Sequence, residues 1–197
     1  MRAAAILCTS AVAIALAVAL AVGFHQARQT SDATKPLAPL TRAQVSVPIA
    51  GAPAQLAALR RQVNVLHGGG VAAFKAQLRA LRGHPVVVNM WGSWCPPCRA
   101  EVPVFQREAV KRGAQVAFLG VNSTDQRANA LKFAAREPMP YPSFEDPRGN
   151  IAAGIYHSLV LPVTAFYDAA GRLAIVQQRP FLSEAALSQA IERYALR

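Results

Sequence analysis

Apolar and polar positions divide the chain into three regimes. From Ala3 to Phe24 the run is apolar, with no charged residue and only Thr9 and Ser10 carrying polar side chains. As a helix it would reach about 33 Å, enough to cross the hydrocarbon core of a bilayer. Cleaved secretory signals have shorter apolar centres, but Ala19-Leu20-Ala21 offers a small-residue cleavage step. A signal-anchor and a cleaved signal are both open for residues 1–27. Arg2 ahead of the run keeps the amino terminus inside and sends the remainder outward. Residues 28–53 then carry Pro36, Pro39, Pro48 and Pro53 among small and polar residues, the composition of an extended linker.

The third regime is periodic. Leu56, Leu59, Val63 and Leu66 predict a helix over Ala54–Leu66, broken by Gly68-Gly69-Gly70. Val71, Phe74, Leu78 and Leu81 predict a second helix ending near Gly83. Together they form a helical extension over residues 54–82. Pro85 to Trp91 is short, β-branched and almost wholly apolar, as a strand covered on both faces would be. A loop over Gly92–Pro97 leads to a helix over Cys98–Arg112, interrupted at Pro103. Gln115–Val121 reads as a second buried strand. Ser123, Thr124 and Asp125 offer cap oxygens to a helix that Pro138 ends. Tyr141 and Phe144 mark an edge strand, and Gly149–His157 a short helix. A strand from Pro162 to Tyr167 turns at Asp168–Gly171 and returns antiparallel through Gln178. Ser183 caps a last amphipathic helix. This alternation predicts an α/β fold, a central mixed sheet with helices on both faces.

Composition narrows the chemistry. Lys and Arg give the 197-residue chain a formal net charge of +11. They are scattered, without a recognition helix or an aromatic-interleaved basic strand, so nucleic acid is not the expected partner. A basic face near anionic lipid accounts for the charge. Of three cysteines, Cys8 lies in the apolar run and reads as a small membrane-helix residue. Cys95 and Cys98 remain, too few for a disulfide framework or a closed zinc site. None of His25, His67, His84 and His157 stands at metal-ligand spacing with them, and no metal or organic cofactor is expected.

Cys95 and Cys98 lie between a buried strand and a helix start, where unpaired N–H groups favour an anion. The spacing lets a ring close between them. Cys95 is expected to be the more exposed sulfur and the nucleophile, with a pKa below that of free cysteine. Cys98 is expected to resolve the mixed disulfide. Trp94 is expected to cover the thiols from the surface, and Trp91 to serve packing.

The stretch Val86-Val87-Val88-Asn89-Met90-Trp91-Gly92-Ser93-Trp94-Cys95-Pro96-Pro97-Cys98-Arg99-Ala100-Glu101-Val102-Pro103 resembles the thioredoxin superfamily, in particular its TlpA/ResA/CcmG-like branch. The resemblance implies a thioredoxin-like fold over residues 83–197, with the branch's helix-and-strand insertion between Gln126 and His157. Pro103 matches the family's kinking proline. Pro162 matches its cis-proline, whose turn would present the Leu161 backbone beside Cys95 to an extended substrate segment. Leu161, Pro162 and Trp94 are thus candidate substrate-binding residues. Glu101 stands where the branch often carries a glutamate. Two readings stay open for it: proton relay for Cys98, and an acid complementing the helix start. Val160 and Val163 depart from the family's usual residues, which weakens any inference about the partner.

The expected activity is therefore thiol-disulfide exchange on exported proteins by a membrane-tethered, extracytoplasmic oxidoreductase. By resemblance it acts as a reductant, with apocytochrome c a candidate substrate and a membrane thiol carrier the electron donor. A tethered binding module without turnover is the alternative. A peroxiredoxin-type peroxidase is disfavoured, because Gly92 stands where that chemistry needs a threonine. A copper chaperone is disfavoured because the cysteine spacing is one residue too short.

Overall fold

The computed structural model describes residues 37–158 and 160–197. The apolar amino-terminal run with Cys8, His25 and the first part of the predicted linker lie outside them. The elements are α1 (Arg42–Val45), α2 (Ala54–Arg60), β1 (Leu66–His67), α3 (Gly70–Ala80), β2 (Val86–Trp91), α4 (Pro96–Arg112), β3 (Ala117–Ser123), α5 (Arg127–Arg136), β4 (Ser143–Asp146), α6 (Asn150–Tyr156), β5 (Val163–Tyr167), β6 (Leu173–Gln177) and α7 (Glu184–Tyr194). Among the described residues, no helix is long and apolar enough to cross a membrane.

One mixed sheet runs in the order β1-β4-β3-β2-β5-β6. β1, β4, β3 and β2 pair in parallel, while β5 and β6 join antiparallel. Every residue of β2, β3 and β5 is buried, which explains their continuous apolar runs. On one face Val88, Met90, Leu119, Val121 and Val163 form a core with Leu56, Phe74, Ile151 and Tyr156. The opposite face carries α4 and α7, with Phe105, Phe181, Phe166 and Tyr194 in successive ring contacts. Arg112 ties the two helices, bonding Glu108 at 2.8 Å and Glu192 at 2.7 Å.

Several sequence expectations change. The helix predicted to reach Leu66 stops at Arg60. Asn64, at φ 61°, donates to the Ala134 carbonyl at 2.7 Å and accepts from the Met139 N–H at 2.6 Å. Those bonds turn the chain into β1. The predicted edge strand β4 is interior, because β1 pairs beyond it. α4 begins at Pro96 and passes through Pro103 without a break. Prolines suit a first helical turn, where their missing N–H would be unpaired anyway.

The described end of the predicted linker is docked, not extended. Gln106 bonds both the N–H and the carbonyl of Leu40, and Arg107 bonds the Ala38 carbonyl at 2.9 Å. Thr41 and Gln44 form a capping box on α1, Val45 is buried, and the buried Arg60 guanidinium holds the Val47 and Pro140 carbonyls. Composition favours an extended chain here. Hydrogen bonds to residues far along the sequence override it.

Candidate functional site

β2 delivers the chain to a short loop, Gly92–Trp94, and the loop delivers Cys95 to the start of α4. Cys95 and Cys98 are joined by a disulfide, with S–S 2.03 Å and Cα–Cα 5.3 Å. Cys95 is the N-cap residue of α4, and its sulfur accepts the Cys98 N–H at 3.3 Å. Pro96 and Pro97 fill the first two helical positions and have no N–H to give. The Cys98 N–H is therefore the free amide of the first turn, and it is aimed at Cys95 Sγ. The Arg99 N–H already bonds the Cys95 carbonyl. This concentrates the positive end of the helix on one sulfur.

Both sulfurs are buried in this oxidised form, so they barely differ in exposure. Cys95 is 2 % and Cys98 1 % exposed, because the Cys95 sulfur is turned down onto the helix start. The surface above is carried by Trp94, 55 % exposed, with Pro96 and Pro97 also exposed. The Trp94 indole N–H donates to the Thr124 carbonyl at 3.0 Å, and its ring lies over Gly92. A Cβ at 92 would stand 2.8 Å from Trp94 Nε1, so the threonine of a peroxiredoxin would displace this ring. Trp91 is buried, bonding Ser143 Oγ at 3.2 Å.

A residue missed as part of the site holds this loop. Asp125 accepts the Ser93 N–H at 2.6 Å, the Ser93 hydroxyl at 3.0 Å and the Asn122 amide at 2.9 Å. It was expected to cap the following helix. Instead α5 starts after Gln126 with no side-chain cap, and the buried carboxylate faces the cysteine loop. The Asp in Ser123-Thr124-Asp125 after a buried strand was the available signal, but its partner lies about thirty residues upstream and is invisible to local patterning.

Glu101 sits one helical turn beyond Cys98 on the same face of α4, a spacing at which side chains are neighbours. It is fully buried. Asn89 Nδ2 donates to Glu101 Oε1 at 2.7 Å, and the Phe181 N–H donates to Oε2 at 3.0 Å. Burial pushes its carboxyl up from the ordinary 4.5 to about 8, although both hydrogen bonds oppose the shift. Burial thus favours the protonated form of the carboxyl. Asn89 of β2 and Glu101 of α4 are thus direct partners.

Leu161 and Pro162 lead into β5, and the Leu161–Pro162 peptide is cis. β5 pairs with β2 up to Val163 opposite Met90, so both residues lie at the end of the sheet where β2 runs into the cysteine loop. Pro162 is buried, Leu161 half-buried and Val160 65 % exposed. The described histidines stand apart from the cysteines in the sequence. His67 meets Gln62 at 2.7 Å, His84 meets Gln55 at 3.4 Å, and His157 ends α6. Among the described residues, no cluster of three or more His, Cys, Asp or Glu side chains could hold a metal ion.

Burial of Glu101 makes stability pH-dependent. The unfolded carboxyl loses its proton near 4.5 and the folded one near 8, so between these values the folded chain binds more protons. The benefit is complete below 4.5 and declines as pH rises toward 8, on the order of 1 kcal/mol per pH unit. Glu101→Gln is expected to flatten this slope. Its carbonyl still accepts from Phe181, and its amide donates to a turned-over Asn89. Urea midpoints of the oxidised chain across this window, wild type against variant, measure the difference; equal slopes would refute the assignment.

The family described as AhpC/TSA matches residues 59–176. The thiol:disulfide interchange protein DsbE of Pseudomonas fluorescens biotype C is 40 % identical over 94 residues, covering 46 % of this chain and 49 % of that protein. The thiol-disulfide oxidoreductase ResA of Geobacillus thermodenitrificans is 31 % identical over 104 residues, covering 49 % of this chain and 56 % of that protein. The chain thus spans about half the length of the curated relatives it matches. Among solved structures, a secreted disulfide oxidoreductase of Mycobacterium tuberculosis superposes with a TM-score of 0.52 at 26 % identity, covering 58 % of this chain and 85 % of that one.

Proposed function

The chain belongs to the AhpC/TSA family, and from that premise we propose that it is an extracytoplasmic thiol-disulfide oxidoreductase working through Cys95 and Cys98. The observation that carries this reading is the Cys95 sulfur capping α4 at its one free first-turn amide. In the dithiol form a thiolate on Cys95 gains that N–H and the helix dipole, so it ionises more readily than a free cysteine. It attacks a substrate disulfide; the substrate S–S bond breaks, a mixed disulfide forms and the substrate thiolate leaves. Cys98 gives its proton to Glu101 in its ionised form and attacks Cys95 Sγ. The second substrate sulfur departs with two electrons gained, and the ring closes. Glu101, buried beside Cys98, is the proton carrier of this step. Trp94, Leu161 and Pro162 line the approach, where an extended substrate segment docks.

The direction proposed is reduction of exported proteins, apocytochrome c thiols included, with electrons resupplied by a membrane thiol carrier. The direction rests on the resemblance to the TlpA/ResA/CcmG-like branch, and the placement on the apolar Ala3–Phe24 run, which suits a single-pass anchor with this domain outside the membrane. Equilibration of the full chain against glutathione buffers tests it. A potential at or below about −200 mV fits a reductant, and one near about −120 mV, the range of strong exported oxidants, would overturn that direction. Insulin reduction with dithiothreitol no faster than the uncatalysed background would leave a binding module in place of the enzyme.

A further inference from the structure

Glu101 needs an exchange route for the proton it carries, and the sheet beneath it supplies a row of polar side chains. Asn89 on β2 stands directly opposite Thr164 on β5, and Thr164 stands directly opposite Gln177 on β6. Opposed residues project to the same face, here the face covered by α4. Thr164 is fully buried, and its hydroxyl has no hydrogen-bond partner. Gln177 is half-buried at the edge of the sheet, and its Oε1 is buried without a partner. In the other direction the row ends at once: Asn89 opposes Gly120, and Ser143 beyond it is bonded to the Trp91 indole.

Buried polar atoms are paired in nearly all native proteins, with ordered water where protein groups do not reach. Two orphaned oxygens on neighbouring strands, in line between a buried carboxyl and the sheet edge, are a site for bound water. Opposed side chains stand about 4.5–5.5 Å apart at Cβ, a gap that one water bridges with polar partners on both sides.

We propose that Thr164 and Gln177 are positioning residues of a water-holding proton path that runs past the Asn89 amide and links Glu101 to solvent at the β6 edge. The inference rests on the reading of Glu101 as proton carrier for Cys98. In the reductive direction Glu101 first releases its own proton along the row and then, ionised, accepts the Cys98 proton; on re-reduction a proton returns. No electrons use the path. Among the described residues, Tyr141 in the segment ahead of β4 couples to Glu101, and its hydroxyl is held un-ionised by burial and by Glu101; Cys98 precedes Glu101 by one turn of α4. From the β6–α7 connection the Phe181 N–H reaches Glu101, and Arg179 lies over the Phe181 ring.

The test is a single-turnover reaction of the reduced full chain with a small disulfide, followed by acid quench. Attack by Cys95 and resolution by Cys98 are timed separately across pH, in H2O and D2O, for Thr164→Val, Thr164→Ser, Gln177→Leu and Glu101→Gln. The path predicts that Thr164→Val and Gln177→Leu slow resolution about tenfold, part of the roughly 10²-fold or more that proton transfer contributes, and change its isotope effect. It also predicts that Cys95 attack is untouched and that Thr164→Ser restores the rate. Wild-type resolution in Thr164→Val and Gln177→Leu with slow Glu101→Gln would overturn the path and leave the Glu101 reading standing. Wild-type resolution in Glu101→Gln as well would remove that reading and the path together. Equal slowing of both steps, or no recovery with Thr164→Ser, would make the row mere packing and overturn the path.

Discussion

Cys95→Ser is expected to abolish exchange with protein disulfides, a loss of roughly 10³-fold or more, the scale on which removal of a covalent nucleophile acts. Cys98→Ser is expected to abolish turnover for a different reason. Cys95 still attacks, because its helix-start amide survives, but nothing resolves the adduct. The two variants therefore separate on a non-reducing gel. Cys98→Ser accumulates a mixed disulfide with its substrate, and Cys95→Ser forms none. The asymmetry derives from the helix start. Cys95 accepts the N–H of residue 98, which is a backbone group that the serine variant keeps, whereas Cys98 lies inside the first turn. Adducts forming equally in both variants would contradict the assignment of nucleophile and resolving thiol.

Phe74→Ala is expected to destabilise the oxidised chain by about 3–5 kcal/mol, a large part of the roughly 5–15 kcal/mol typical of a domain. Phe74 is 0 % exposed. Its ring meets Phe144 of β4 at 5.6 Å and Tyr156 of α6 at 6.3 Å, both edge-on, so truncation leaves a void among residues that belong to three elements. The effect would show α3 to be part of the same core as β2, the strand that leads to the cysteine loop, through Phe74, Val88 and Met90. Urea unfolding monitored by Trp fluorescence measures it. A loss under about 1 kcal/mol, the scale of an exposed substitution, would mean that α3 is an appendage to the fold.

Local pattern determined a great deal. The apolar runs at Val86–Trp91, Ala117–Ser123 and Val163–Tyr167 are strands because a strand covered on both faces has no polar side to alternate with. Trp-Cys-Pro-Pro-Cys between the first of these and a helix located the reactive pair, since ring closure and the cap at Cys95 involve residues within one turn of each other. Ser183 was legible as the cap of α7 for the same reason. The tertiary structure decided whatever depends on partners distant in sequence. Glu101 became a carboxyl with a raised pKa because the fold buries it, and its second oxygen found a donor only in the Phe181 N–H, eighty residues later. Asp125 became the clamp of the cysteine loop instead of a helix cap. β4 moved to the interior because a two-residue strand, too short to announce itself by periodicity, pairs outside it. A proline-bearing segment docked because Gln106 and Arg60 satisfied its backbone. Local propensity is a sum over neighbours along the chain, whereas these outcomes turn on which buried polar group finds which partner across the fold.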